Sequence, residues 1–122
     1  MVGRGKVVVL NLAQEIIFNE RVYTKASIEI DHINYGLNFK TKELNVTKRS
    51  EFTAEDVCQF LLEIDGMEIS PVKVSDAFIF YSLELLCPIR GKSFDKKFRI
   101  VFTTTMIDPC LIGTITLYRV KS

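Results

Sequence analysis

The chain has 122 residues, 48% of them apolar and 25% charged, and its 16 basic and 15 acidic side chains leave a formal net charge of +1. That length suits one domain over 1–122, able to bury roughly two thirds of its unfolded surface without covalent staples. The composition excludes a disordered chain, and the near-neutral balance excludes a nucleic-acid binder that works through overall charge, leaving room only for a local basic face.

Met1–Lys6 is glycine-rich and basic and reads as a terminal segment with Arg4 and Lys6 in solvent. The run Val7-Val8-Val9-Leu10 is too short for a signal-peptide core, and no stretch approaches the roughly 20 apolar residues of a membrane span. From Val7 to Phe18 the valines favour a strand, whereas Leu12, Ile16 and Phe18 among Ala13, Gln14 and Glu15 suit a helix; a strand running into one or two helical turns is expected.

Val22 to Ile30 alternates, with Val22, Ala26, Ile28 and Ile30 inward and Lys25, Ser27 and Glu29 outward, which predicts a strand. Past Asp31 and His32 the apolar set becomes Ile33, Tyr35, Leu37 and Phe39, so a bulge or tight turn is expected at 31–32 and more strand after it. Leu44 and Val46 predict another short strand. His32 is the sole histidine and hence a candidate general base, because imidazole titrates near neutrality. With no second histidine and no cysteine at ligand spacing, a metal site is not expected.

The sharpest local signal is Phe52-Thr53-Ala54-Glu55-Asp56-Val57. Thr53 can cap a helix with Asp56 at its third position, and Phe52 can staple onto Val57. Val57, Phe60, Leu61 and Ile64 then share one face and Gly66 stops the run, giving a helix over about 54–65. Lys48 and Arg49 precede it, but Glu51, Glu55 and Asp56 argue against an anion at that helix start.

Met67–Ser70 predicts a short strand ended by Pro71. In Asp76–Cys87 both alternating sets are largely apolar, which predicts a central strand. Glu84 is its only charged interior residue, so it should be paired, lie at a rim or serve a site. The segment Phe98–Thr104 places apolar residues on even positions, and Leu111–Val120 places them mainly on odd ones, with Asp108-Pro109 between as a breaker. These two strands predict a hairpin in which opposed residues sum to 217, setting Ile100 against Leu117 and Arg99 against Tyr118. The second face then displays Arg99, Thr103, Thr114, Thr116 and Tyr118 as candidate binding or catalytic groups, although threonine also favours ordinary solvated strands. The fold class predicted is α+β, a mainly antiparallel sheet with one well-defined packed helix and this C-terminal hairpin.

The three cysteines, Cys58, Cys87 and Cys110, are widely spaced among apolar neighbours and read as reduced core or near-core residues, which points to the cytoplasm. The order helix, strand, strand, strand from Lys48 to Val120, with Phe98-Arg99-Ile100-Val101-Phe102 and Ile112-Gly113-Thr114-Ile115-Thr116-Leu117-Tyr118-Arg119, resembles the small RelE/ParE-like ribonuclease toxin domains. That resemblance implies a helix on an antiparallel sheet and metal-independent RNA cleavage. Arg99 and Arg119 would then supply cations, Tyr118 acid/base or stacking chemistry, and His32 or Glu84 the base.

The near-neutral charge and the lack of a catalytic motif point first to a different class, a small interaction protein of antitoxin, immunity or phage accessory type. It would bind a protein partner, or a second copy of itself, through the sheet edge or the hydroxyl-rich face. The ribonuclease, with RNA as its partner, and a small-ligand protein lined by Phe78, Phe80 and Tyr81 are the alternatives; no cofactor is expected. A positive patch at Arg99 would favour the nuclease, and a long unpaired edge or apolar patch the interaction protein.

Overall fold

The computed structural model describes residues 5–38 and 40–121, so the expectations for Met1–Arg4 and Phe39 lie outside the described residues. Strands β1 (Val8–Phe18) and β2 (Arg21–Ile28) form an antiparallel pair across Asn19-Glu20, whose φ values of 49° and 63° match the left-handed two-residue turn favoured between twisted strands. β1 stays extended throughout, in place of the expected helical turns. The apolar spacing of Leu12 and Ile16 arises because β1 carries extra residues between the Asn11–Lys25 and Ile16–Tyr23 pairs, a bulge that re-aims the chain.

β2 has its own irregularity, where Thr24 and Lys25 both donate to the Cys110 carbonyl. It turns Tyr23 into the core and leaves Val22 47% exposed, so of the expected inward set Ala26 and Ile28 are fully buried and Val22 is not.

After Ile28 the chain does not continue as strand. Residues Ile30–Tyr35 form the short helix α1, carrying His32, and Gly36 ends it with φ at 79°. The parity switch at Asp31–His32 therefore marks a helix entry, not a bulge or tight turn, and of the expected strand at 44–46 only a single Leu37–Leu44 bridge forms, with Val46 in solvent. A six-residue helix has too few periodic positions to be told from a strand.

Helix α2 (Ala54–Leu62) begins as predicted. Asp56 N–H donates to Thr53 Oγ1 at 3.1 Å and Thr53 N–H donates back to Asp56 Oδ2 at 3.0 Å. It ends a turn early: Glu63, Ile64 and Asp65 close tighter i−3 bonds to Phe60, Leu61 and Leu62, and Gly66 follows with φ at 84°. Met67–Ser70 is not a strand. Asn19 instead clamps it, accepting from Ile69 N–H at 2.7 Å and donating to the Ile69 carbonyl at 3.0 Å.

β3 (Lys73–Val74), β4 (Phe78–Leu86), β5 (Lys97–Thr105) and β6 (Leu111–Arg119) complete a six-stranded sheet of order β1-β2-β6-β5-β4-β3. The sheet is mixed, because β2 and β6 run parallel from Lys25–Leu111 to Ile28–Thr114 while the other neighbours are antiparallel. β4 is not central: only the two-residue β3 lies beyond it, which leaves Phe78 at 43% and Leu86 at 52% exposure.

β5 and β6 pair as the 217 sum requires from Phe98–Arg119 through Val101–Thr116. Ile115 is then an extra residue, and the pairs become Phe102–Thr114, Thr103–Gly113 and Thr104–Ile112. One inserted residue flips every side chain beyond it to the other face.

The core lies between one sheet face and the helices. Phe18, Tyr81 and Phe102 cluster at centroid distances of 4.8–5.3 Å, and Phe52, Phe60 and Phe98 form a second triangle at 5.3–5.5 Å. Val57, Phe60, Leu61 and Ile64 are completely buried, as their helical spacing predicts.

Candidate functional site

The predicted residues part into two groups on the sheet and its flank. Arg99 and Tyr118 are directly opposed on the outer face. Arg99, however, is committed: its Nη2 donates to Glu84 Oε2 at 2.6 Å and its Nη1 to Ser82 Oγ at 2.8 Å. Lys97 Nζ stands 3.8 Å from the other Glu84 oxygen. Glu84 is thus paired at a half-exposed position, and the Arg99 charge is matched by it, with Lys97 as a second cation on the same carboxylate.

Thr103 lies buried beside Gly113, at the centre of the sheet. Thr114 does not join the outer face. The bulge at Ile115 turns it to the core side, where its Oγ1 is buried without a hydrogen-bond partner among the described residues. Arg119, paired with Phe98, sits at the exposed end of β6 on the core side.

Tyr118 and Thr116 instead meet a residue that the strand pattern gave no reason to choose. Arg49 reaches back from the segment before α2, its Nε donating to the Ile33 carbonyl at 3.0 Å and its Nη2 to the His32 carbonyl at 3.2 Å and Thr116 Oγ1 at 2.9 Å. Its guanidinium carbon lies 5.8 Å from the Tyr118 ring centroid. The sequence makes this possible through Asn34, a buried side chain whose backbone carbonyl accepts from Arg49 N–H at 2.6 Å. Asn34 also donates to the Phe52 carbonyl at 2.8 Å and accepts from Phe52 N–H at 2.9 Å. Burial draws the Arg49 pKa below its usual value, but an arginine remains charged.

Arg49 and Tyr118 together form a ridge between two open clefts of about 560 Å³ each. One is floored by His32, Leu37, Lys42 and Thr116. The other runs past Phe52, Phe98 and Arg119 to Glu51 and Lys92. The fold therefore brings His32, Thr116, Tyr118 and Arg119 around this ridge, and keeps Arg99 and Glu84 in their own pair. His32 Nδ1 is 4.0 Å from Oε1 of Glu29, the residue just before α1. Lys92 is held by Asp56 at 2.7 Å.

The two edges of the sheet differ sharply. At one, β3 is two residues long, preceded by Pro71 and carrying Lys73, features that keep an edge from pairing. At the other, β1 is eleven residues long without proline or lysine. The end of β1 is covered, since Ile17 N–H donates to Asp65 Oδ1 at 2.7 Å and its carbonyl accepts from Gly66 at 2.7 Å. Its start is open, with Val7 54% and Val9 63% exposed and Leu10 and Leu12 only partly buried on the other face.

Phe78 and Phe80 share the outer face while Tyr81 is in the core, so these three do not line a common pocket. The cysteines are all free, but Cys110 is exposed, in place of the expected near-core position. Burial raises the Cys87 thiol and pushes Cys58 up to about 11, which leaves both poor nucleophiles. Among the described residues no group of histidine, cysteine and carboxylate side chains is arranged to hold a metal ion, and no helix is long and apolar enough to cross a membrane. Compared with known proteins, the chain matches no family model, no curated protein and no solved structure.

Proposed function

We propose that this chain is a small interaction protein, of the antitoxin, immunity or phage accessory kind, that binds an extended segment of a protein partner along the open half of β1. The observation that carries this reading is the contrast between the two edges: β3 is short and guarded by Pro71 and Lys73, whereas Val8–Leu12 presents backbone groups that are unpaired among the described residues, with no charged side chain. An added strand would gain main-chain hydrogen bonds and complete the burial of Leu10 and Leu12 on one face and of Val7 and Val9 on the other. The ribonuclease alternative draws less support, because Arg99, its central cation, is spent on Glu84.

The test is affinity capture from the source cell with wild type, Val9→Lys and Val74→Lys, followed by hydrogen exchange on the purified complex. Support requires slowed exchange of the amides at 8–12 in the complex, loss of the complex with Val9→Lys and its retention with Val74→Lys at the opposite edge. A wild type that remains a monomer and captures nothing, or a complex indifferent to Val9→Lys, overturns the reading. Self-association lost with Val9→Lys would identify the partner as a second copy of the chain.

A further inference from the structure

We infer that the paired clefts beside the Arg49–Tyr118 ridge bind a short single strand of nucleic acid, with one nucleotide lodged on each side of the ridge. The first support is the distribution of charge. Four of the described cations are matched by a carboxylate: Lys25 by Asp108 at 3.0 Å, Lys92 by Asp56 at 2.7 Å, and Arg99 and Lys97 by Glu84 at 2.6 Å and 3.8 Å. Arg49 is oriented by two main-chain carbonyls and a hydroxyl, all neutral, so its charge is fixed in place and, among the described residues, uncompensated, with the Nη1 donors still to spend. Lys42 and Arg119, on opposite sides of it, make no ion pair among the described residues. Against these three cations the described residues of the linings offer one carboxylate, Glu51.

The second support is shape. Each cleft, at about 560 Å³, falls within the range of about 300–1,000 Å³ typical of small-molecule sites. The half-buried ring of Tyr118 lines both. Cations that track a backbone, interleaved with an aromatic ring on which a base can stack, are the means by which single strands are bound without base-specific contacts. The start of α2 takes no part, since its capping box occupies the nearby donors and Lys92 already matches Asp56. The outcome is therefore a local basic face on a chain whose net charge is only +1.

The test is fluorescence anisotropy of labelled oligouridylate and oligothymidylate from about 20 to about 150 mM salt, where phosphate contacts weaken steeply. Wild type should bind at low salt. Lys42→Gln/Arg119→Gln should weaken binding tenfold or more and flatten the log–log salt slope by about 1.4, the share of two phosphate contacts on a single strand. Tyr118→Leu should lose about tenfold, and Tyr118→Phe, which keeps the ring, should bind as wild type. Lys73→Gln, at the far edge, serves as the control, and thermal melts followed by circular dichroism establish that each variant is folded. No salt-dependent binding by wild type, equal binding by Tyr118→Leu and Tyr118→Phe in folded protein, or displacement of the strand by an acidic peptide at equal charge concentration would overturn the inference. These readouts leave β1 untouched, so their failure and that of the partner-binding reading are independent.

Discussion

Replacing Asn34 by alanine should destabilise the protein more than its single-residue size suggests. The Asn34 amide closes a two-way bridge to the main chain of Phe52, at 2.8 Å and 2.9 Å, and is only 6% exposed. Truncation leaves a buried N–H and a buried carbonyl without partners, and each such group costs about 1–3 kcal/mol, so the loss should fall at about 2–6 kcal/mol. That is a large part of the about 5–15 kcal/mol that holds a typical domain folded. Urea unfolding measures it as a lower midpoint at unchanged slope. Asn45→Ala, whose exposed amide makes one bond of 3.3 Å, should change stability by less than about 0.5 kcal/mol and serves as the control. Asn34→Asp adds a signed pH test. Its ionised carboxylate can accept from Phe52 N–H but cannot donate to the Phe52 carbonyl, so burial and the lost donor raise its folded pKa above the unfolded value. Its stability should be fully present below the unfolded pKa and fall as pH rises through the folded one, opposite in sign to an ordinary salt-bridged aspartate. A change under about 1 kcal/mol in Asn34→Ala would refute the reasoning, because it would mean that water reaches the Phe52 main chain.

Thr114→Val preserves shape and removes a buried hydroxyl that has no partner among the described residues, so it should raise stability by about 1 kcal/mol in the same urea assay. Gly113→Ala should cost about 1–3 kcal/mol, since the added Cβ would stand 2.8 Å from Thr103 Oγ1 and 3.0 Å from Ser27 Oγ; Gly113→Ala/Thr103→Ala should recover part of it. In native protein at mildly alkaline pH, a thiol-reactive chromophore should label Cys110 first, Cys58 more slowly and Cys87 last, because Cys110 is exposed, Cys58 is partly buried, Cys87 is buried, and the thiols of the latter two are held protonated.

The Arg49–Tyr118 site was partly legible. Strand patterning and residue chemistry single out Tyr118, Thr116 and His32, the family resemblance adds Arg119, and the clefts unite them. Arg49 carried no comparable signal. Its neighbours in sequence suggested only the start of α2, and its role depends on Asn34, fifteen positions earlier, and Thr116, sixty-seven later. Arg99 shows the converse, a correctly placed residue whose partner, Glu84, cancels the charge that made it a candidate.

By itself the sequence determined what depends on neighbours a few residues apart and on the alternation within two consecutive strands. The capping box of Thr53 and Asp56, the buried stripe of α2, the turn at Gly66 and the Arg99–Tyr118 opposition all follow from local hydrogen bonding and from the two periodicities that decide which side chains share a face. Tertiary structure alone decided the parallel docking of β2 on β6, the helical path of 30–35 and the peripheral place of β4. It also decided the extra residue at Ile115 that buries Thr114. Each of these turns on which distant strand fills a ladder. That choice is made by the total apolar surface buried and the backbone groups satisfied across the whole sheet, quantities that no window of sequence contains.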